Sequence, residues 1–125
     1  MAKNWIIIFG VVFVLVGVLG LLGGVGIVGS DGFFVTNGAH DWVHLVTGIL
    51  FLIVGFAAAQ SAGMTMKIFG IVYLLVAVLG FVMETPLLGF LAYNMNDNIL
   101  HLVLGVVITW AGFSGGKSMS APMTV

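Results

Sequence analysis

Three histidines hold the coordinating chemistry this chain can offer, since it contains no cysteine. They fall in two copies of one pattern, NGAHDWVHLVTG at Asn37–Gly48 and NMNDNILHLVLG at Asn94–Gly105. In each copy an Asn is followed seven residues later by a His-Leu pair and, four residues beyond that His, by a Gly. His44 and His101 are therefore matched, and the positions three and four residues before them carry His40 and Asp41 in one copy, Asp97 and Asn98 in the other.

Two imidazoles facing each other across a helical bundle are suited to the axial positions of a haem b. Gly48 and Gly105, one turn deeper, would leave space for the macrocycle. A metal site drawn from His40, His44, His101 and Asp97 has the right ligand types. Among these, however, His40 and His44 are the one pair of histidines spaced i,i+4, and they share a helix face only if their helix begins before Asp41. The simpler reading is architectural. Asp41, Asp97 and Asn98 are residue types that cap helix N-termini, and an imidazole buried near a helix start can bond a loop carbonyl, as burial of a polar group requires. On this reading the doubled motif clasps two loops onto two helices, and the chain needs no cofactor. Ser-His-Asp triads, phosphate-binding loops and paired catalytic carboxylates cannot be assembled from the sequence, so the expectation is a protein that is not an enzyme. Met64, Met66, Met83 and Met95 are too scattered for a thioether copper site.

The elements that must position these residues are set by composition. Of 125 residues, 62% are hydrophobic and 6% charged, with a formal net charge of −1. A water-facing domain carries about a quarter charged residues, so the solvent for this chain is a lipid bilayer. Three Lys with no basic cluster exclude nucleic acid as a partner. Long apolar runs predict an all-α polytopic membrane protein with transmembrane helices near 6–28, 42–60, 66–83 and 98–113, a polar tail over 114–125, and one domain spanning 1–125. The first run is longer than a signal-peptide core and reads as a retained span, with Trp5 as an interfacial anchor. Pro86 sets the limit of the third span, Glu84 beside it reads as an interfacial carboxylate, and Leu87–Tyr93 reads as an interfacial or re-entrant piece. The conformation of Gly32–Asn37 and Gly89–Asn94, short helix or extended loop, is left open. Thr47 and Thr109 are span hydroxyls able to bond back to their own helices.

Four spans put Lys3, Lys67 and Lys117 on one side and Asp31, Asp41, Glu84 and Asp97 on the other. The excess of Lys predicts cytoplasmic termini in a prokaryotic plasma membrane. The spans also repeat: IFGVVFVLVGVLGLL from Ile8 matches IFGIVYLLVAVLGFV from Ile68, and the His motifs match at a slightly shorter offset. The chain thus reads as two parallel hairpin repeats, about 6–60 and 66–116, related by a pseudo-two-fold axis along the membrane normal. Gly10, Gly17, Gly20 and Gly24 share a helix face, as do Gly70, Ala77 and Gly80, which suits close packing in lipid.

The motif N-x-x-H-D-x-x-H-L-x-x-G, with its second copy N-x-x-D-N-x-x-H-L-x-x-G, resembles a family of small prokaryotic four-helix membrane proteins, the domain of unknown function 4383. The resemblance covers about Asn4–Phe113 and implies fold and membrane location without an activity. Three functional expectations follow from the residues: a structural or interaction subunit, associating with copies of itself or with other membrane proteins; a bis-His haem electron carrier using His44 and His101; and a small permease.

Overall fold

The computed structural model describes residues 1–24 and 26–119. Four helices form the fold: α1 (Ala2–Leu21), α2 (Gly38–Ala57), α3 (Ala62–Val82) and α4 (Met95–Met119), with a single 3-10 turn at Ala59–Ser61 between α2 and α3. Each is long and apolar enough to cross a membrane, because about 20 residues at 1.5 Å rise span the roughly 30 Å hydrocarbon layer. The protein is a multi-pass membrane protein, and its outward-facing Leu15, Val46, Leu75 and Val103 are apolar and exposed, as lipid contact requires.

The helix limits differ from the hydropathy reading, α3 beginning at Ala62 and not at 66 among them, and at the end of the first span the cause is local. The first span stops at Leu21 instead of Val28. Gly23 and Gly24 take φ values of +95° and +61°, and their N–H groups bond to the carbonyls of Gly20 and Leu19 at 3.1 and 2.7 Å. That pair of bonds is the glycine-dependent Schellman stop, which satisfies the last carbonyls of the helix. Hydropathy carries no information about positive φ. At the other end, α4 continues through Met119 where a tail was expected from Ser114; residues 120–125 lie outside those described.

The helices pair into two hairpins, α1 with α2 and α3 with α4. Their glycines allow backbone-to-backbone contact: a Cβ at Gly48 would lie 2.6 Å from the Val14 amide nitrogen, and one at Gly105 would lie 2.8 Å from that of Leu74. Likewise Gly55 faces Ile7 and Gly112 faces Lys67, while Gly17 faces the backbone of Leu45. Side chains close the centre between hairpins. Ile6, Phe51, Met66 and Ile108 are fully buried, Phe13 of α1 stacks on Tyr73 of α3 at 5.3 Å, and Trp5 meets Trp110 edge-on at 5.6 Å. Trp5 is therefore a packing residue between α1 and α4 as well as an end-of-helix aromatic.

Both long connections lie at the end of the bundle where α2 and α4 begin. In the first, strand β1 (Val28–Gly29) pairs in parallel with β2 (Phe34–Val35), in the register Val28 with Phe34 and Gly29 with Val35. In the second, Leu87 and Leu91 form a single antiparallel bridge. Neither connection contains a helix among the described residues, which answers the question left open at Gly32–Asn37 and Gly89–Asn94 in favour of extended chain and turns. Glu84 is exposed just beyond the end of α3.

Candidate functional site: a three-histidine cluster under two clasped loops

The start of α2 is four residues earlier than hydropathy indicates, and the start of α4 three. The caps are the two Asn residues of the motif, not Asp41 and Asp97-Asn98. Asn37 Oδ1 accepts the His40 amide at 3.0 Å. Asn94 Oδ1 accepts the Asp97 amide at 3.0 Å, and Asp97 Oδ2 accepts the Asn94 amide in return at 2.9 Å. This reciprocal arrangement satisfies two donors at the start of α4.

Each capping Asn uses its other side-chain atom to hold the opposite hairpin. Asn37 Nδ2 donates to the Phe90 carbonyl at 2.8 Å, and Asn94 Nδ2 donates to the Phe33 carbonyl at 3.0 Å. Asn96 adds a second donor to Phe33 at 2.9 Å. Asn37 and Asn94 thus join each loop to the opposite hairpin, a role suited to an amide, whose oxygen accepts while its nitrogen donates.

With the first turn in place, Asp41 and Asn98 point into the hairpin seams. A Cβ on Gly20 would overlap the Asp41 carboxylate, and one on Gly80 would overlap the Asn98 amide. Asn98 Nδ2 donates to the Gly80 carbonyl at 3.0 Å, one of the carbonyls left free in the last turn of α3. Gly48 and Gly105 are helix-contact glycines, each closed off by the neighbouring helix backbone, so neither leaves clearance for a flat ligand.

Starting α2 at Gly38 also makes His40 helical, one turn before His44. His40, His44 and His101 are all buried, and one nitrogen from each lies within 4.8 Å of the others. Ring centroids are 4.5 Å apart for His40–His44, 5.5 Å for His40–His101 and 6.1 Å for His44–His101. His40 Nδ1 lies 2.7 Å from the Ala92 carbonyl. A carbonyl can only accept, so Nδ1 carries the proton and Nε2 presents its lone pair. His44 Nδ1 and Tyr73 Oη are buried without a hydrogen-bond partner among the described residues. Tyr73 packs on His101 at 5.6 Å, and Phe13 packs on His44 at 5.8 Å.

A cavity of about 120 Å³ opens against this cluster, lined by His40, His44, Thr47, Tyr73 and His101 on its polar side and by Val72 and Leu91 among its apolar wall. It holds a few water-sized groups. The sequence pairs His44 with His101 correctly, but Asp97 is taken up in the α4 cap, and it is His40 that joins them. Thr109 bonds back to the Gly105 carbonyl at 2.6 Å, as its position in a span suggests. Tyr73 and the cavity face of Thr47 are the site residues that sequence reasoning passes over. The available signal is the alignment of the two halves of the sequence, in which Tyr73 stands opposite Phe13 and Thr47 opposite Leu104.

In comparison with known proteins, the model of a family described as Domain of unknown function (DUF4383) matches residues 3–114. No curated protein and no solved structure matches the chain.

Proposed function

The chain belongs to the DUF4383 family, whose description names no activity, and from that premise we propose that it is a small non-enzymatic protein of the prokaryotic plasma membrane, a structural or interaction subunit built from two copies of one hairpin. The observation that carries this reading is the exchange of equivalent bonds between the two halves. Asn37 holds Phe90 while Asn94 holds Phe33, so donor and acceptor positions swap as a two-fold axis would swap them. The same axis pairs Phe13 with Tyr73 and His44 with His101.

The interior argues for a support rather than a conduit. Beyond the histidines the centre is occupied by Phe13, Phe51, Met66, Ile6 and Ile108, all buried and apolar. A permease needs a polar path through that region. A haem b between His44 and His101 receives less support than the subunit reading, because the His40 and Tyr73 rings already crowd the two imidazoles and the adjoining cavity is small. Lys3 and Lys67 near the starts of α1 and α3, with Asp41 and Asp97 at the opposite end, support cytoplasmic termini. The exposed lipid-side surface, with Ile53 and Trp110 among its larger groups, is where copies of the chain or other membrane proteins would meet it. Native mass spectrometry in mild detergents tests the association: discrete oligomers are expected, and monomer alone in every detergent would remove self-association from the proposal. Cysteine accessibility at positions 31 and 64 in intact cells tests the orientation, with labelling expected at 31 only.

A further inference from the structure

We propose that His40, His44 and His101 form a binding site for one first-row transition-metal ion of the kind that prefers imidazole nitrogen, such as Zn2+ or copper, with a fourth coordination position open to the adjoining cavity. Four observations carry it. Three imidazoles from two hairpins converge, with one nitrogen from each inside 4.8 Å. The nitrogens around a tetrahedral zinc ion at about 2.0–2.1 Å are roughly 3.3 Å apart, so modest ring rotations bring this set into coordination distance. Imidazole ligands suit zinc, copper, nickel and iron, and the absence of a carboxylate in the set disfavours magnesium and calcium.

The second observation is the outer hydrogen bond. A metal-bound histidine characteristically donates its other ring N–H to a carbonyl or carboxylate, which orients the ring and raises its basicity. His40 does this with the Ala92 carbonyl at 2.7 Å, leaving Nε2 to ligate. The ring that carries this bond lies 4.5 and 5.5 Å, centroid to centroid, from the other two imidazoles. Third, His44 Nδ1 is a buried polar atom without a partner among the described residues, an arrangement that costs free energy unless something binds it.

The fourth observation rests on reading the chain as two hairpin copies. Three of the polar residues lining the cavity differ from their counterparts in the other half: His40 stands where that half has Asp97, Tyr73 where it has Phe13, and Thr47 where it has Leu104. Two of these changes add a hydroxyl on the cavity side, and the third places an imidazole there while Asp97 is held in the α4 cap. Packing alone gives no reason for polar groups to gather on one side of a symmetric core.

The test uses the full chain, purified in detergent without a polyhistidine tag. After loading with Zn2+ and removal of loosely held ion, elemental analysis should give about one equivalent per chain. Co2+ should give the intense visible d–d absorption of a four-coordinate site, and Mg2+ should not compete. H44Q and H101Q should each weaken Zn2+ binding by at least about 100-fold. X-ray absorption of the zinc-loaded, unmutated chain should show imidazole scattering from three ligands, a readout that does not depend on any variant folding. Substoichiometric zinc, or a spectrum with oxygen scatterers and no imidazole contribution, overturns the site. Equal zinc affinity in the chain lacking all three histidines does the same. None of these outcomes bears on oligomeric state, so the site and the subunit proposal fail separately.

Discussion

Replacing Gly48 with Ala inserts one methyl group into the seam between α1 and α2. The new Cβ would lie 2.6 Å from the Val14 amide nitrogen and 2.8 Å from the Gly10 carbonyl oxygen. Ordinary contacts begin near 3.4 Å, so the two helices must separate by several tenths of an ångström. Two of the three obstructing atoms, the Val14 nitrogen and the Gly10 carbonyl oxygen, are backbone, and no side-chain rotation relieves them. Overpacking of this kind costs about 1–3 kcal/mol, against which Ala returns roughly 0.8–1.0 kcal/mol of helix propensity. A net loss of up to about 2 kcal/mol is expected. Gly38→Ala in the first turn of the same helix is the control, since a Cβ there meets nothing within 4 Å; it should be neutral or stabilising by less than about 1 kcal/mol. Gly105→Ala, which meets the Leu74 amide nitrogen and side chain at 2.8 Å, should likewise be less stable than Gly38→Ala. Reversible unfolding in mixed micelles, followed by tryptophan fluorescence, measures all three. If Gly48→Ala is as stable as Gly38→Ala, the helices are not in backbone contact and the packing argument is wrong.

Asn37→Asp keeps the cap to His40 but removes the donor to Phe90, whereas Asn37→Ala removes both. The first should cost about 1 kcal/mol and the second about 2 kcal/mol, and hydrogen exchange should show faster opening of the 83–94 connection in both. Asn98→Leu strips the Gly80 carbonyl of its buried partner and should destabilise by about 1–3 kcal/mol; an unchanged midpoint in the same unfolding assay would remove that bond from the account. Gly24→Ala combines positive φ with a collision against the Val28 carbonyl, while Gly23→Ala has positive φ and open space. Gly23→Ala should therefore lose about 1–2 kcal/mol, Gly24→Ala more, and equal losses would refute the close approach at Gly24.

Hydropathy and the repeated small residues disclose the four helices and their pairing, because both depend on residue type at a regular period. Gly10 with Gly70 and Gly48 with Gly105 do at 60 and 57 residues' separation the same job twice. The helix starts are hidden for a different reason. Asp41 and Asp97 are as plausible as caps as Asn37 and Asn94, and an apolar run does not register the polar first turn that precedes it. That error of four residues at α2 is what separates His40 from His44 on paper. Once Asn37 is the cap, the i,i+4 spacing applies and the third imidazole joins the pair. The outer connections were illegible because their shape comes from glycines at positive φ and from bonds to residues more than 50 positions away, such as Asn37 to Phe90.

On the proposed reading of the chain as two hairpin copies, like residues lie against like at the axis. Two imidazoles facing each other, His44 and His101, follow from duplication alone. A third ligand cannot, because a two-fold axis supplies positions in pairs. The scaffold could have offered four ligands by keeping a histidine at both 40 and 97, but Asp97 instead closes the α4 cap with Asn94. The two halves thus divide the work: one residue of the pair stabilises a helix start, and the other turns inward to complete a cluster. Tyr73 against Phe13 makes the same division across their stacked contact, one ring purely apolar and the other bringing a hydroxyl to the cavity. Structural clasp and coordinating cluster are therefore not competing accounts of the doubled motif. The clasp holds Ala92 in place, the Ala92 carbonyl orients His40, and His40 adds the third imidazole of the proposed site to His44 and His101.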